Sequence, residues 1–172
     1  MLSSTRPLSL ARTVLRAVRL INVLYALGIA LLLAATLVAP AWTFAALGVV
    51  PEAVARMGLA MRLMAVAGIA GAVLAHWVLT HLLAIVDSVR DGDPFVLPNA
   101  RRLQAIAWLV LAGEALHLLV GALAAFASTP VQALDVDWSF SLAPWIAVLM
   151  LFVLARVFEH GARLRADLEG TV

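Results

Sequence analysis

Asp91-Gly92-Asp93-Pro94-Phe95-Val96-Leu97-Pro98-Asn99-Ala100-Arg101-Arg102 is the most polar run in the middle of a very apolar chain. Asp91-Gly92 favours a turn, Pro94 and Pro98 disfavour helix at the residue before each, and Asn99 reads as the N-cap of the next helix. Arg101 and Arg102 then fall in a first helical turn, where the macrodipole disfavours cations. Asp91 or Asp93, lipid phosphates or a partner must therefore hold them. Charge-poor segments long enough to cross a bilayer lie on both sides. The run is read as a tight turn between two membrane spans.

The composition carries the same message. The chain has 172 residues, 65% hydrophobic and 13% charged, with a mean hydropathy of +1.05. Soluble domains are about half apolar and about a quarter charged, so these values indicate an integral membrane protein. No polar stretch exceeds roughly 20 residues, too few for a water-soluble domain of about 50 or more. The basic residues are all arginine, which is attributed to a GC-rich coding sequence. The pI near 10.4 stems from a net charge of only +2 and gives no argument for direct nucleic-acid binding. The absence of cysteine excludes disulfides, thiolate nucleophiles and cysteine-ligated metals.

Outward from the turn, four spans are expected, at about residues 20–38, 63–86, 103–127 and 142–158. The central turn is 87–102 and the tail 159–172. Before the first span, Arg6, Arg12, Arg16 and Arg19 sit among Leu8, Val14, Leu15 and Val18, which gives a basic segment with a membrane-surface face. A cleaved signal peptide is the alternative, with small residues at Ala39-Pro40-Ala41, but its apolar core would be longer than the usual ~7–15 residues. Pro40 ends or kinks the first helix. Asn22 is read as an interfacial or interhelical hydrogen-bonder. The aromatic stretch with Trp42 and Phe44 either continues that helix or lies in the interface. Pro51-Glu52 reads as a helix start.

Small residues at Ala67/Gly71 and Gly68/Ala72 suit close approach of a neighbouring helix. Ser128-Thr129-Pro130 ends the third helix, and the connection after it carries Asp135, Asp137 and Trp138. Ser139 or Ser141 caps the fourth, which continues past its apolar body as an amphipathic extension. There Val157, Gly161, Leu164 and Leu168 share a side, Glu159–Arg163 and Arg163–Asp167 are favourable four-apart pairs, and Gly170 closes the helix. Ten arginines lie in the N-terminal segment, the turn and the tail, against Arg56 and Arg62 elsewhere. The positive-inside rule then puts both termini and the central turn in the cytosol. The expected fold is all-α: a four-helix bundle in a bacterial inner membrane, N-in and C-in.

Ionisable residues inside spans are functional candidates by default, because an unpaired one in hydrocarbon is costly. His76, Glu114 and His117 form the candidate cluster. By helix rise, His76 and Glu114 lie at similar depth, each about 15 Å from the turn, and His117 is one turn beyond Glu114. Gly113 and Gly121 leave room for a close neighbour there. The readings are a hydrogen-bonded zipper fixing helix register, a proton relay or small-ligand pocket, and a metal or haem site. A di-iron site needs a second Glu-x-x-His motif and further carboxylates, and His76 and His81 are about 140° apart around their helix. The acidic residues of the turn do not follow a calcium loop, and no phosphate loop or Ser–His–Asp set is present. The chain is therefore read as non-enzymatic, with no metal and no cofactor.

Gly92-Asp93-Pro94-Phe95 with Asn99, Arg102 and Leu103, together with Phe158-x-x-Gly161-x-x-Leu164-Arg165-x-Asp167-Leu168-Glu169-Gly170-Thr171-Val172, resembles the small bacterial four-span membrane proteins of domain of unknown function 2975 (DUF2975). The resemblance runs from the first span to the last residue. Members are often encoded beside small Cro/C1-type helix-turn-helix repressors, so it implies a membrane partner of a transcription regulator and assigns no catalytic residues. Asp91, Asp93, Phe95, Arg101 and Arg102 on the turn, with Val157, Leu164, Arg165 and Leu168 on the tail, are the candidate docking residues. The alternative is that the tail folds back on the turn, Arg163 or Arg165 pairing with Asp91 or Asp93; the two are compatible. A small transporter or proton-coupled pocket at His76, Glu114 and His117 is the second functional expectation, a redox subunit the third. Lipid and a second copy of the chain complete the candidate partners.

Overall fold

A computed structural model describes residues 5–130, 132–134 and 139–169. They form α1 (Thr5–Val38), the short α2 (Pro40–Ala46), a 3-10 turn (Pro51–Ala53) leading into α3 (Val54–Arg90), α4 (Leu97–Ala127) and α5 (Leu142–Glu169). No strand occurs among the described residues. Four of the helices are long and apolar enough to cross a membrane, and each contains one of the expected spans. The shortest of them, α5, has 28 residues and is therefore about 42 Å long, against about 30 Å of hydrocarbon. The excess length carries most of the arginines.

The burial pattern follows from a lipid environment. Many of the buried residues are alanines, including Ala60, Ala67, Ala72, Ala100, Ala107, Ala124, Ala127 and Ala155, while most leucines and valines along the helices are exposed. Hydrocarbon is as apolar as leucine, so helices gain little by hiding leucine. They gain by close packing of small side chains and by hydrogen bonds. Gly68 illustrates the closeness: a Cβ there would stand 3.0 Å from Ile29 Cδ1.

The chain divides into two compact units, and α1, α3 and α4 contribute to both. One unit comprises Asn22–Val73 and Gly113–Phe140. Its core is Phe44, Val49, Ala53 and Met57, with Val50, Val54, Met61 and Leu134 packed against it. Pro40 begins α2 after α1 has stopped at Val38, so the proline ends the first helix and starts a second. Gly48, at φ +74°, closes α2: its N–H donates to the Ala45 carbonyl and that of Val49 to Phe44. That pair of bonds satisfies the carbonyls left open at a helix end, and the positive φ is one glycine adopts without strain. Gln132 then ties the connection down, donating to the Gly48 carbonyl (2.9 Å) and accepting from Val50 N–H (3.0 Å). Asn22 donates to the Ala72 carbonyl at 2.9 Å, which makes it an interhelical hydrogen-bonder.

Arg56 and Arg62 are used inside this unit. Arg62 donates to the Thr36 carbonyl (2.5 Å), near the end of α1, and its guanidinium lies 5.5 Å from the centre of the Phe44 ring. Arg56 donates to the Phe126 carbonyl near the end of α4 and lies 4.8 Å from the Phe126 ring centre. Both cations therefore sit where helices present unsatisfied carbonyls and partial negative charge. Gly113 has open space where a Cβ would stand, so it brings no neighbour close. The residues Asp135, Asp137 and Trp138 lie outside the described residues, as does the Gly170 stop.

Candidate functional site

The other unit comprises the chain up to Ile21, Leu74–Ala112 and the chain from Ser141. Its polar centre is the α3–α4 turn. Gly92, at φ +90°, follows the last turn of α3; its N–H donates to the Val89 carbonyl and that of Asp93 to Ser88. As at Gly48, this is the double bond pattern that ends a helix at a glycine. The chain then turns through Pro94 and enters α4 at Leu97, with Pro98 in its first turn.

Asn99 is consequently not the N-cap expected of it. The helix starts two residues earlier, because a proline is tolerated in the first turn, where its missing N–H is not needed. Asn99 is instead fully buried, at 0% exposure. Its side-chain amide donates to Ser88 Oγ (2.6 Å) and the Pro94 carbonyl (2.9 Å), and its oxygen accepts from Arg102 (2.7 Å). The Ser88 hydroxyl in turn donates to the Ile85 carbonyl at 2.8 Å. One amide thus joins the end of α3, the turn and the start of α4. Arg102, now in the second turn of α4, is held by this oxygen and by the Ala84 carbonyl at 3.4 Å. Asp87 faces Arg12 of α1 at 3.0 Å.

The tail of α5 docks on the turn. Arg165 donates to Asp93 Oδ1 at 2.5 Å. The rings of Phe95 and Phe158 lie 5.2 Å apart, centre to centre. A Cβ on Gly161 would stand 3.0 Å from Phe95 Cδ1, so glycine is what lets the phenyl ring approach the helix. Glu159 accepts from Arg163 (2.6 Å) and from Arg156 (3.1 Å). Ser141 accepts from Ala143 N–H at 3.3 Å and so caps α5 as expected.

The fold-back expectation therefore describes the geometry, with Arg165 and Asp93 as the pair. Of the docking candidates, Asp93, Phe95 and Arg165 are engaged in the fold-back, Arg102 in the Asn99 network, and Asp91 and Arg101 are exposed on the turn. Val157, Leu164 and Leu168 remain 54%, 53% and 71% exposed on α5. The candidate membrane cluster is distributed differently. His76 falls in this unit, half-buried, whereas Glu114 and His117 fall in the other, half-buried and exposed. Among the described residues, none of the three side chains has a hydrogen bond or ion pair, that between Glu114 and His117 included.

A family profile described as protein of unknown function, DUF2975, matches residues 40–172. The chain belongs to this family. No curated protein and no solved structure matches it. The structure gives the two DUF2975-like motifs a physical reason for being together: Asp93 meets Arg165, and Phe95 meets Phe158 and Gly161. Sequence reasoning underrated Asn99, Ser88 and Glu159. The signal for Asn99 was its distance of one residue from Pro98, which moves the helix start ahead of it.

Proposed function

We propose that this member of the DUF2975 family is a non-enzymatic membrane protein that anchors or restrains a small cytosolic helix-turn-helix regulator through the α3–α4 turn and the tail of α5. The observation that carries the reading is the exposed row Val157, Leu164 and Leu168 beside a turn that is already built and braced. Two of these large apolar side chains, Leu164 and Leu168, lie past the expected span and Val157 at its end, and the row matches the way an amphipathic helix presents anchors along one face to a groove. The arginine asymmetry supports a cytosolic, inner-membrane placement for this surface, with both termini on that side. The kind of partner is taken from the family resemblance.

Co-purification in detergent of the full-length protein with a small Cro/C1-type helix-turn-helix regulator co-expressed from the same genome tests the proposal. Leu164→Glu with Leu168→Glu, both at exposed positions, should abolish capture while leaving the membrane protein's melting unchanged. Equal capture by the variant would remove the reading.

A second reading rests on Glu114, a half-buried carboxyl within an apolar span and without a partner among the described residues. A proton-coupled pocket or small transporter would explain why so costly a group is present. Flux in proteoliposomes that is the same for Glu114→Gln would eliminate it.

A further inference from the structure

An open cleft of about 970 Å³ lies between the first turns of α4 and the tail half of α5, wholly within the unit that holds the turn. Four guanidiniums line it, Arg101, Arg156, Arg163 and Arg165, against the carboxylates of Glu159 and Asp93. Arg165 and Asp93 neutralise each other at 2.5 Å. Arg156 and Arg163 share the single carboxylate of Glu159, at 3.1 and 2.6 Å. Arg101 has no hydrogen bond or ion pair among the described residues. Among the described residues that line the cleft, guanidiniums thus outnumber carboxylates by four to two.

The position of the cleft along the helices selects the anion. Its lining runs from Asp93 to Gln104 on one side and from Phe152 to Ala166 on the other, so it straddles the ends of the spans expected at 103 and 158. That is the depth of lipid phosphates. The cleft is also amphipathic along its length. Its charged groups lie towards the turn and the α5 tail, and Ala100, Phe152 and Ala155 form an apolar floor. The floor continues inward through Trp108, whose ring packs edge-on against Phe152 at 5.4 Å and is itself 58% exposed. Leu149, one turn before Phe152 on the same side of α5, is exposed as well. A soluble phosphate would use the arginines and leave this apolar path empty. A phospholipid would use both.

We propose that the cleft is a binding site for an anionic phospholipid, with the phosphate held between Arg101 and the Arg156–Arg163 pair and an acyl chain along Phe152 and Trp108. Basic clefts between spanning helices at the membrane surface are suited to such headgroups. The site does not require the helix-turn-helix partner, and its test contains none.

The full-length protein in mixed micelles, carrying brominated phosphatidylglycerol or brominated phosphatidylcholine, provides the assay. Bromine quenches nearby tryptophan, and Trp108→Phe identifies the share of the quenching that comes from the cleft. Phosphatidylglycerol should quench at lower mole fraction than phosphatidylcholine. An arginine near a membrane surface contributes about fivefold in affinity. Arg101→Gln should therefore weaken the phosphatidylglycerol preference about fivefold, and Arg101→Gln with Arg156→Gln about 25-fold, whereas Arg56→Gln should leave it unchanged. Equal quenching by the two lipids would overturn the proposal, as would a preference that survives the double substitution. Competition by millimolar inorganic phosphate as effective as competition by phosphatidylglycerol would also overturn it, by showing a site for a free anion.

Discussion

Arg62 and Arg102 are both half-buried guanidiniums, but one is held chiefly by a helix end and the other chiefly by a buried side chain. Arg62 meets the carbonyl end of α1, where the backbone offers acceptors and partial negative charge, and the Thr36 hydroxyl and the Phe44 ring complete its surroundings. Arg102 lies in the second turn of α4, and a buried side chain, Asn99, supplies its nearer acceptor at 2.7 Å, with the Ala84 carbonyl at 3.4 Å. The comparison separates arginines that complete the fold from those that are free for other work. In the unit built around Phe44, both arginines are consumed by backbone carbonyls. In the unit built around Asn99, four arginines and two carboxylates line the cleft, and among the described residues Arg101 has no hydrogen bond or ion pair. Function is expected where the charge is not used up.

Removing Asn99 should expose this contrast most strongly. Asn99→Leu leaves Ser88, the Pro94 carbonyl and Arg102 without their partner, at a cost of about 3 kcal/mol, or about 10 °C in the melting midpoint in detergent. Asn99→Asp, which keeps the acceptor for Arg102 and loses the amide donors, should fall between. If Asn99→Leu melts like the native protein, the polar centre is not holding the turn. Arg62→Met is expected to cost less, about 2 kcal/mol, since it deletes charged hydrogen bonds to one helix end that is otherwise formed. A thermal-shift series comparing it with Arg101→Met would sharpen the point, because Arg101→Met should be neutral within about 0.5 kcal/mol.

Gly92→Ala comes next, at about 1 kcal/mol, because an alanine must adopt the positive φ that ends α3. Faster amide exchange confined to 89–93 is the matching signature. Smallest is Asp93→Asn. The Arg165–Asp93 pair is about half exposed on both sides, so its loss should cost under about 1 kcal/mol. The effect to measure is then local: quicker proteolysis of the α5 tail without a change in melting.

The parts of this architecture that the sequence discloses are those written in one dimension. Runs free of charge give four spans, and Pro40, Pro51 and Gly92 fall where helices stop or start. Arg56 and Arg62 were countable as the minority on one side, but their purpose depends on which helix ends come near them in space. His76 and Glu114 were set at one depth by counting residues. The two residues belong to different units, and among the described residues neither side chain has a hydrogen bond or ion pair. The turn–tail contact was foreseeable as one of two arrangements because Asp93 and Arg165 carry opposite charge. What charge cannot reveal is the notch at Gly161 that admits Phe95.

The notch offers the most direct test of the claim that turn and tail form one built surface. The chain has no cysteine, so Phe95→Cys with Gly161→Cys introduces the only two thiols. Mild oxidation in native membranes should then yield a bond within one chain, seen as a monomer of altered mobility that reductant restores. Thiols that stay free, or that link only separate chains, would contradict the account.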